Sequence, residues 1–145
     1  MMTDTARCAL VLGASGGLGT ALVVEFLADP AITQVIAVSR KGQPLSLSVS
    51  DDVTNKLVWI QTEYDEQSMT TVVDQIEGHA GNIARVCICH GLLHSETIWP
   101  EKRLEDINAD ALHEIFQSNT VVPTLWLKLL FKLLKGEEPC VVATM

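Results

Sequence analysis

The sequence predicts an α/β fold in which helices cover both faces of one doubly wound parallel sheet. Short apolar runs alternate along the chain with longer runs whose apolar residues recur at helical spacing. The short runs are apolar throughout, which is typical of strands buried on both faces of a parallel sheet. The 145 residues are enough for one such domain, which we assign to residues 1–145.

Five strands are predicted along the chain. Four of them cover residues 6–13, 34–39, 56–61 and 85–91, and a fifth begins in the C-terminal segment PCVVATM. Strands that alternate with helices in this way form right-handed crossover units. The common dinucleotide-binding version of this arrangement has six strands. We therefore expect a partial domain, truncated after its fifth strand.

The first two helices are predicted over residues 17–28 and 69–79, where apolar residues recur at helical spacing. Ser68 precedes the second of these helices and is its expected N-cap. Residues 41–55 are polar and show no helical period. We expect a loop there, or at most one irregular turn.

A long helix is predicted from near Ala109 to Lys135, capped by Asn108 or Asp110 and kinked at Pro123. Its second half is apolar around most of its circumference, so we expect burial on more than one side. An ordinary core helix and a helix at a subunit interface are both consistent with this pattern.

The composition excludes several classes of protein. The net charge of −8 argues against a nucleic-acid partner and against an anionic membrane surface. Residues 1–6 contain no apolar signal-peptide core, and no apolar run is long enough to span a membrane. Cys8, Cys87, Cys89 and Cys140 lie in strand-like runs without a CxxC pair. We expect reduced core thiols, as in a cytoplasmic protein.

A glycine-rich turn joins the first strand to the first helix. Its glycines follow the spacing G-x-x-x-G-x-G, where glycine permits a sharp turn and a close approach of the backbone to phosphate. The first turn of the helix offers free N–H groups. A tight turn without a ligand is the alternative, but the position after the first strand favours phosphate binding. The predicted phosphate-binding residues are Gly13, Ser15, Gly17, Leu18 and Gly19.

The second strand ends in Ser39, Arg40 and Lys41. A carboxylate at this position would bind the ribose 2′-hydroxyl of NAD(H), whereas cations suit the 2′-phosphate of NADP(H). We therefore expect NADP(H) to be preferred over NAD(H), with Ser39 and Arg40 in contact with it. A solvated basic turn is the alternative interpretation.

Together these motifs resemble the short-chain dehydrogenase/reductase family. The glycine turn matches the family's cofactor-binding turn, although Leu12 stands where threonine is frequent. The segment ICHG (88–91) takes the place of the family's Asn-Asn-Ala-Gly segment and retains only Gly91. The segment FQSNTVVP (116–123) resembles the helix motif in which an asparagine, here Asn119, supports a proton relay. Residues 91–112 further resemble a subgroup akin to the C-factor cell-signalling reductases.

The resemblance implies a Rossmann fold and hydride transfer between a nicotinamide cofactor and a carbonyl or alcohol substrate. It places Glu63 or Tyr64 beside the adenine, and Cys89, His90 and Gly91 along the cofactor cleft. It also implies that the helix over residues 109–135 packs at a homo-oligomer interface.

The family's proton-transfer groups have no counterpart in the sequence. They are a serine after the fifth strand and a Tyr-x-x-x-Lys pair, which would follow Met145. Tyr64 is the only tyrosine of the chain and has Ser68, not lysine, four residues on. We therefore expect the 145-residue chain alone to be inactive. A non-catalytic dinucleotide-binding or interaction module is the alternative.

Three residues, His90, His94 and Asn119, have competing interpretations. His90 and His94 have a spacing that binds metal on a helix, but they follow a strand and lack a third ligand, so we expect no metal site. Asn119 could equally be a buried, hydrogen-bonded helix residue without a catalytic role.

Overall fold

A parallel sheet of five strands forms the centre of the protein. The computed structural model describes residues 6–47, 53 and 55–145. The strands are β1 (Arg7–Leu12), β2 (Gln34–Ser39), β3 (Leu57–Gln61), β4 (Asn82–Ile88) and β5 (Val141–Thr144). Their order across the sheet is β3-β2-β1-β4-β5, and all four pairings are parallel. The predicted fold class, a doubly wound parallel sheet of the Rossmann type, is confirmed.

In the described part of the chain, four α-helices connect these strands. They are α1 (Gly17–Ala28), α2 (Glu66–His79), α3 (Ala109–Phe116) and α4 (Val122–Leu134). A 3₁₀ turn at Leu104–Asp106 precedes α3, and a π-helical segment at Gln117–Val121 joins α3 to α4. No helix in the described ranges combines the length and the apolar character that crossing a membrane requires.

The sheet is buried on both faces. In β1, Cys8, Leu10 and Leu12 belong to the core that contains α2 and α4. The intervening Ala9 and Val11 belong to the core on the α1 side. Successive side chains of a strand point to opposite faces, so an unbroken apolar run is needed where both faces are covered.

The largest difference from the predicted strand boundaries is at β4. The fourth strand covers Asn82–Ile88 instead of residues 85–91, so the segment from Cys89 to Gly91 follows the strand and is free to form part of a site. Residues 41–47 contain no helix or strand, as predicted, but residues 48–52 and 54 of the predicted loop lie outside the described residues.

The cap of α2 is Asp65, not Ser68. The Asp65 carboxylate accepts hydrogen bonds from the Ser68 N–H (2.9 Å) and the Ser68 hydroxyl (2.6 Å). Asp65 has an extended backbone, which starts the helix at Glu66 and places Ser68 in its first turn.

At α3 the predicted cap Asn108 is confirmed, since its side chain accepts from two N–H groups of the first turn.

The predicted helix over residues 109–135 is found as one helical run over residues 109–134, with the π-helical segment Gln117–Val121 lying just before Pro123, where a kink was predicted. The Val122 N–H bonds to the carbonyl of Gln117, five residues back, and α4 begins with Pro123 as its second residue. Proline has no N–H to donate, and in a regular α-helix its ring clashes with the carbonyl four residues earlier. The wider π-helical turn relieves this steric clash.

Helix α4 buries one face only. Val122, Trp126 and Leu130 are buried in the core, whereas Leu127 is 38% exposed and Phe131 is 55% exposed. The predicted burial on more than one side is therefore not found within this chain. The apolar stripe that remains exposed lies opposite the core-facing residues.

The four cysteines are free thiols. Cys8 and Cys87 are buried as predicted, but Cys89 and Cys140 are only partly buried because each lies just outside a strand. Burial raises the pKa of Cys8 to about 12 and that of Cys89 to about 11. Both are neutral thiols at pH 7, which makes them weak nucleophiles.

Candidate nucleotide-binding cleft

A cleft of about 670 Å³ opens at the carboxyl ends of β1 and β4. At this point the strand order reverses, since β2 lies on one side of β1 and β4 on the other. Open α/β sheets bind their ligands at such a switch point. The lining residues are Gly13, Ser15, Gly16, Arg40, Lys41, Glu63, Tyr64, Asp65, Cys89, His90, Gly91, Leu92, Ser95, Glu114, Gln117, Ser118 and Val122.

Gly13 forms the floor of the cleft and requires the absence of a side chain. Its φ of +80° lies in the left-handed region, and a Cβ would stand 2.9 Å from the carbonyl carbon and oxygen of Cys89. Its N–H donates to the Val38 carbonyl at 2.9 Å. Gly13 therefore allows the turn after β1 to pack directly against the residue that follows β4.

Gly19 has a packing role. A Cβ on Gly19 would lie 2.3 Å from the Gly13 carbonyl oxygen, and the residue is buried. It does not line the cleft but brings α1 close to the turn, and a contact of its backbone with phosphate stays a prediction.

The N-terminus of α1 is open. No side chain caps the helix at Gly16, and a Cβ on Gly17 would meet no atom within 4 Å. The first-turn N–H groups are therefore available to an anion, supported by the helix dipole. Gly17 and Leu18 are exposed and do not line the enclosed part of the cleft, so an anion there would meet their backbone N–H groups and not their side chains.

The basic turn after β2 is held by three hydrogen bonds. The Ser39 hydroxyl accepts from the Lys41 N–H, Gln61 donates to the Arg40 carbonyl, and Trp59 donates to the Lys41 carbonyl, each at 3.0 Å. Ser39 is fully buried and does not line the cleft. Its side chain fixes the turn that carries Arg40 and Lys41, and a contact of Ser39 with the 2′-phosphate stays a prediction.

An aromatic cluster closes one side of the cleft. Trp126 Nε1 donates to His90 Nε2 at 2.9 Å, and the two rings are nearly coplanar, at 7°. The Tyr64 ring meets His90 edge to face, with ring centroids 4.5 Å apart. The Arg40 guanidinium carbon lies 5.3 Å from the centroid of the Tyr64 ring. These four side chains connect the basic turn to α4.

His90 is a neutral base in this cluster. Burial, assisted by the positive charge of Arg40, lowers the pKa of His90 to about 4. Its Nε2 accepts from Trp126, which assigns the ring proton to Nδ1. Burial also raises the pKa of Tyr64 above its ordinary value, so that phenol stays protonated at pH 7. His90 is therefore beside the cleft, where it was predicted.

Asn119 holds the loop after β4. Its amide oxygen accepts from the Leu92 N–H at 2.6 Å, and its amide nitrogen donates to the Leu92 carbonyl at 2.9 Å. Asn119 is exposed, not buried as one interpretation expected, and it lines a separate hollow of about 240 Å³ beside Met145. Both polar atoms of the side chain are thus engaged by one backbone unit.

His90 and His94, for which no metal site was expected, have different surroundings in the structure. His90 is buried and bonded to Trp126, whereas His94 is exposed with its ring 6.4 Å from that of Trp99. In the described part of the chain, no group of three potential metal ligands comes together.

Some lining residues were not found from the sequence. Gly16 borders the phosphate turn, and its place within GASGGLG was a usable signal. Glu114, Gln117 and Ser118 reach the cleft from α3 and the π-helical segment. The sequence carried no signal for them, because the helix face on which they lie depends on the position of the π-helical segment.

Comparisons with known proteins agree with this architecture at the level of the fold. No protein-family model and no curated protein sequence matches the chain. A short-chain dehydrogenase/reductase of Saccharomyces cerevisiae superposes with a TM-score of 0.79 at 18% identity, over 97% of this chain and 53% of that one. A short-chain dehydrogenase of Leptospira borgpetersenii with bound NAD⁺ gives 0.74 at 21% identity, over 97% and 51%. ElxO with NADP bound gives 0.74 at 14% identity, over 97% and 54%.

The chain thus spans about half of the length of these structures. Identities this low support a shared fold, and the strand order and the position of the cleft are consistent with it. The protein shares the fold of the matched part of these short-chain dehydrogenase/reductase structures.

Proposed function

We propose that this chain is the cofactor-binding portion of an NADP-preferring oxidoreductase of the short-chain dehydrogenase/reductase type. The parent reaction is hydride transfer between the nicotinamide ring and a carbonyl or alcohol substrate. One observation carries the proposal: an uncapped, glycine-lined helix N-terminus and a fixed turn with two cations border the same cleft. The first suits a pyrophosphate, and the second suits a further phosphate on the ribose.

Each end of the cleft has a separate task. The N–H groups at the start of α1 bind the pyrophosphate, and the open space above Gly17 admits it. Arg40 and Lys41 bind the 2′-phosphate, and no carboxylate occupies the end of β2 to repel it. Glu63 and Tyr64 border the adenine. When bound, the dinucleotide supplies or accepts the hydride.

We expect the 145-residue chain to bind NADPH at least tenfold more tightly than NADH. The reason is that the 2′-phosphate gains charge-assisted hydrogen bonds from Arg40, which a 2′-hydroxyl cannot replace. Titration by fluorescence or calorimetry measures both dissociation constants. In Arg40→Ala the preference should fall towards one. Arg103→Ala is the matched control, since Arg103 is exposed, pairs with Glu105 and Asp106, and does not line the cleft.

Equal binding of the two cofactors by the wild-type chain would contradict the assignment of the basic turn. Binding of neither cofactor would contradict the proposed function as a whole, including its non-catalytic alternative.

We further expect negligible turnover from the 145-residue chain. It spans about half of the structures it resembles, and the Asn119 amide is fully engaged by Leu92. Oxidation of NADPH should be followed with a panel of carbonyl substrates, using a product whose mass matches the 145-residue chain. Cofactor binding without turnover is also expected of the second candidate, a non-catalytic dinucleotide-binding or interaction module, which is favoured instead if the stable 145-residue protein binds NADP(H) together with a partner. Substrate-dependent turnover would contradict the expectation.

A further inference from the structure

We propose that Tyr64 is a specificity-determining positioning residue, which holds the Arg40 guanidinium where it meets the 2′-phosphate. This inference rests on the proposed function and adds to it a residue that acts through another residue. It follows from the aromatic cluster, in which the Tyr64 ring contacts both His90 and the Arg40 guanidinium.

The first step concerns the face of the Tyr64 ring. The Arg40 guanidinium carbon lies 5.3 Å from the ring centroid, within the distance at which a cation is attracted to an aromatic face. A guanidinium that stacks through its planar face keeps its N–H donors at the edge. The stacked Arg40 can therefore still donate to phosphate oxygens, so stacking and phosphate binding are compatible.

The second step concerns freedom of movement. Arg40 is exposed, and an unrestrained arginine loses side-chain entropy when it is immobilised by a ligand. Its backbone is already fixed through Gln61 and through the Ser39–Lys41 bond. Stacking on Tyr64 restricts the side chain as well, so part of the ordering has taken place before the cofactor arrives.

The third step concerns what holds Tyr64. His90 meets its ring at 4.5 Å, and Trp126, fully buried in α4, donates to His90. His90 is neutral, so it does not repel the nearby Arg40. Tyr64 therefore has a fixed support that reaches into the core, and cofactor selection at the basic turn depends on a residue of α4.

The test compares Tyr64→Leu with Tyr64→Phe in the 145-residue chain, using NADPH and NADH as probes. In Y64L the affinity for NADPH should fall about threefold to fivefold more than that for NADH, because a lost contact with the adenine weakens both cofactors alike, whereas the lost cation–aromatic contact to Arg40 weakens only binding of the 2′-phosphate. Y64F retains the ring and should keep the wild-type ratio. Thermal unfolding verifies that the variants are folded, and Tyr64→Met, which fills the space without a ring, carries the same test if Y64L does not fold.

An unchanged NADPH-to-NADH ratio in Y64L, or an equal loss for both cofactors, would overturn the positioning role while leaving the proposed function intact. A ratio in Y64F as low as that in Y64L would assign the effect to the hydroxyl and would also overturn it. Absence of any NADPH preference in the wild-type chain would overturn the NADP assignment and this inference together.

Discussion

Replacing Gly17 with alanine is expected to weaken NADPH binding tenfold or more without destabilising the fold. A Cβ at this position meets no protein atom within 4 Å, and alanine is a better helix former than glycine. The free energy of unfolding should stay the same or rise by up to about 1 kcal/mol. The new methyl group occupies the space through which phosphate approaches the N–H groups of α1.

Gly19→Ala is the matched contrast, because the two glycines lie two residues apart on α1. Its Cβ would stand 2.3 Å from the Gly13 carbonyl oxygen, a backbone atom that cannot move without disturbing the turn. Overpacking of this kind costs about 1–3 kcal/mol or more. Chemical denaturation should separate the two variants: G17A loses binding only, whereas G19A loses stability as well. A destabilised G17A, or a G17A that binds as the wild type does, would contradict the assigned roles.

The second large effect is expected on acidification, which should unfold the protein partly through His90. The folded-state pKa is about 4, against an ordinary value of 6.5, so the unfolded chain binds more protons between these limits. The stability that neutral His90 preserves at pH 7 is therefore lost as the pH falls from about 6.5 to 4. A shift of this size corresponds to roughly 3 kcal/mol.

Other groups titrate in the same range, so the measurement needs a reference variant. Urea denaturation at several pH values should be compared between the wild type and His90→Leu. The leucine variant loses the acceptor for Trp126 and should be less stable at pH 7, but its stability should fall less steeply towards pH 4. Arg40 and Tyr64 are the ionisable neighbours of His90, and both are unchanged in this comparison. Parallel pH profiles would show that His90 is not the titrating group.

The sheet was predictable because its signals are local. Each strand is a short apolar run, and Gly13 marks the end of β1 through a backbone conformation that glycine adopts readily. The position of the cleft followed from the same signals, since the topology of a parallel sheet brings the ends of β1 and β4 together. Residues assigned from these patterns, such as Arg40 and His90, do line the cleft.

The details that the sequence did not reveal depend on contacts between distant parts of the chain. The burial of Ser39 results from its place between neighbouring strands, and the packing role of Gly19 results from the approach of α1 to the Gly13 carbonyl. Neither is encoded in the spacing of the motif. A kink at Pro123 was predicted from the sequence. Its form, a π-helical turn, depends on which carbonyl groups are still free to accept a hydrogen bond.

The pairing of β1 with β4 also orders the events of folding. Arg7 pairs with Asn82, so this contact closes a loop that contains α1, β2, β3 and α2. Loop closure of this length is an entropic cost that must be met before the contact forms, which makes the pairing a late step. The glycine turn is synthesised early, yet Gly13 gains its neighbour Cys89 only when β4 inserts into the sheet. A ligand that contacts both sides of the cleft binds only after β4 has paired with β1. Its binding free energy therefore stabilises the assembled sheet and none of its precursors.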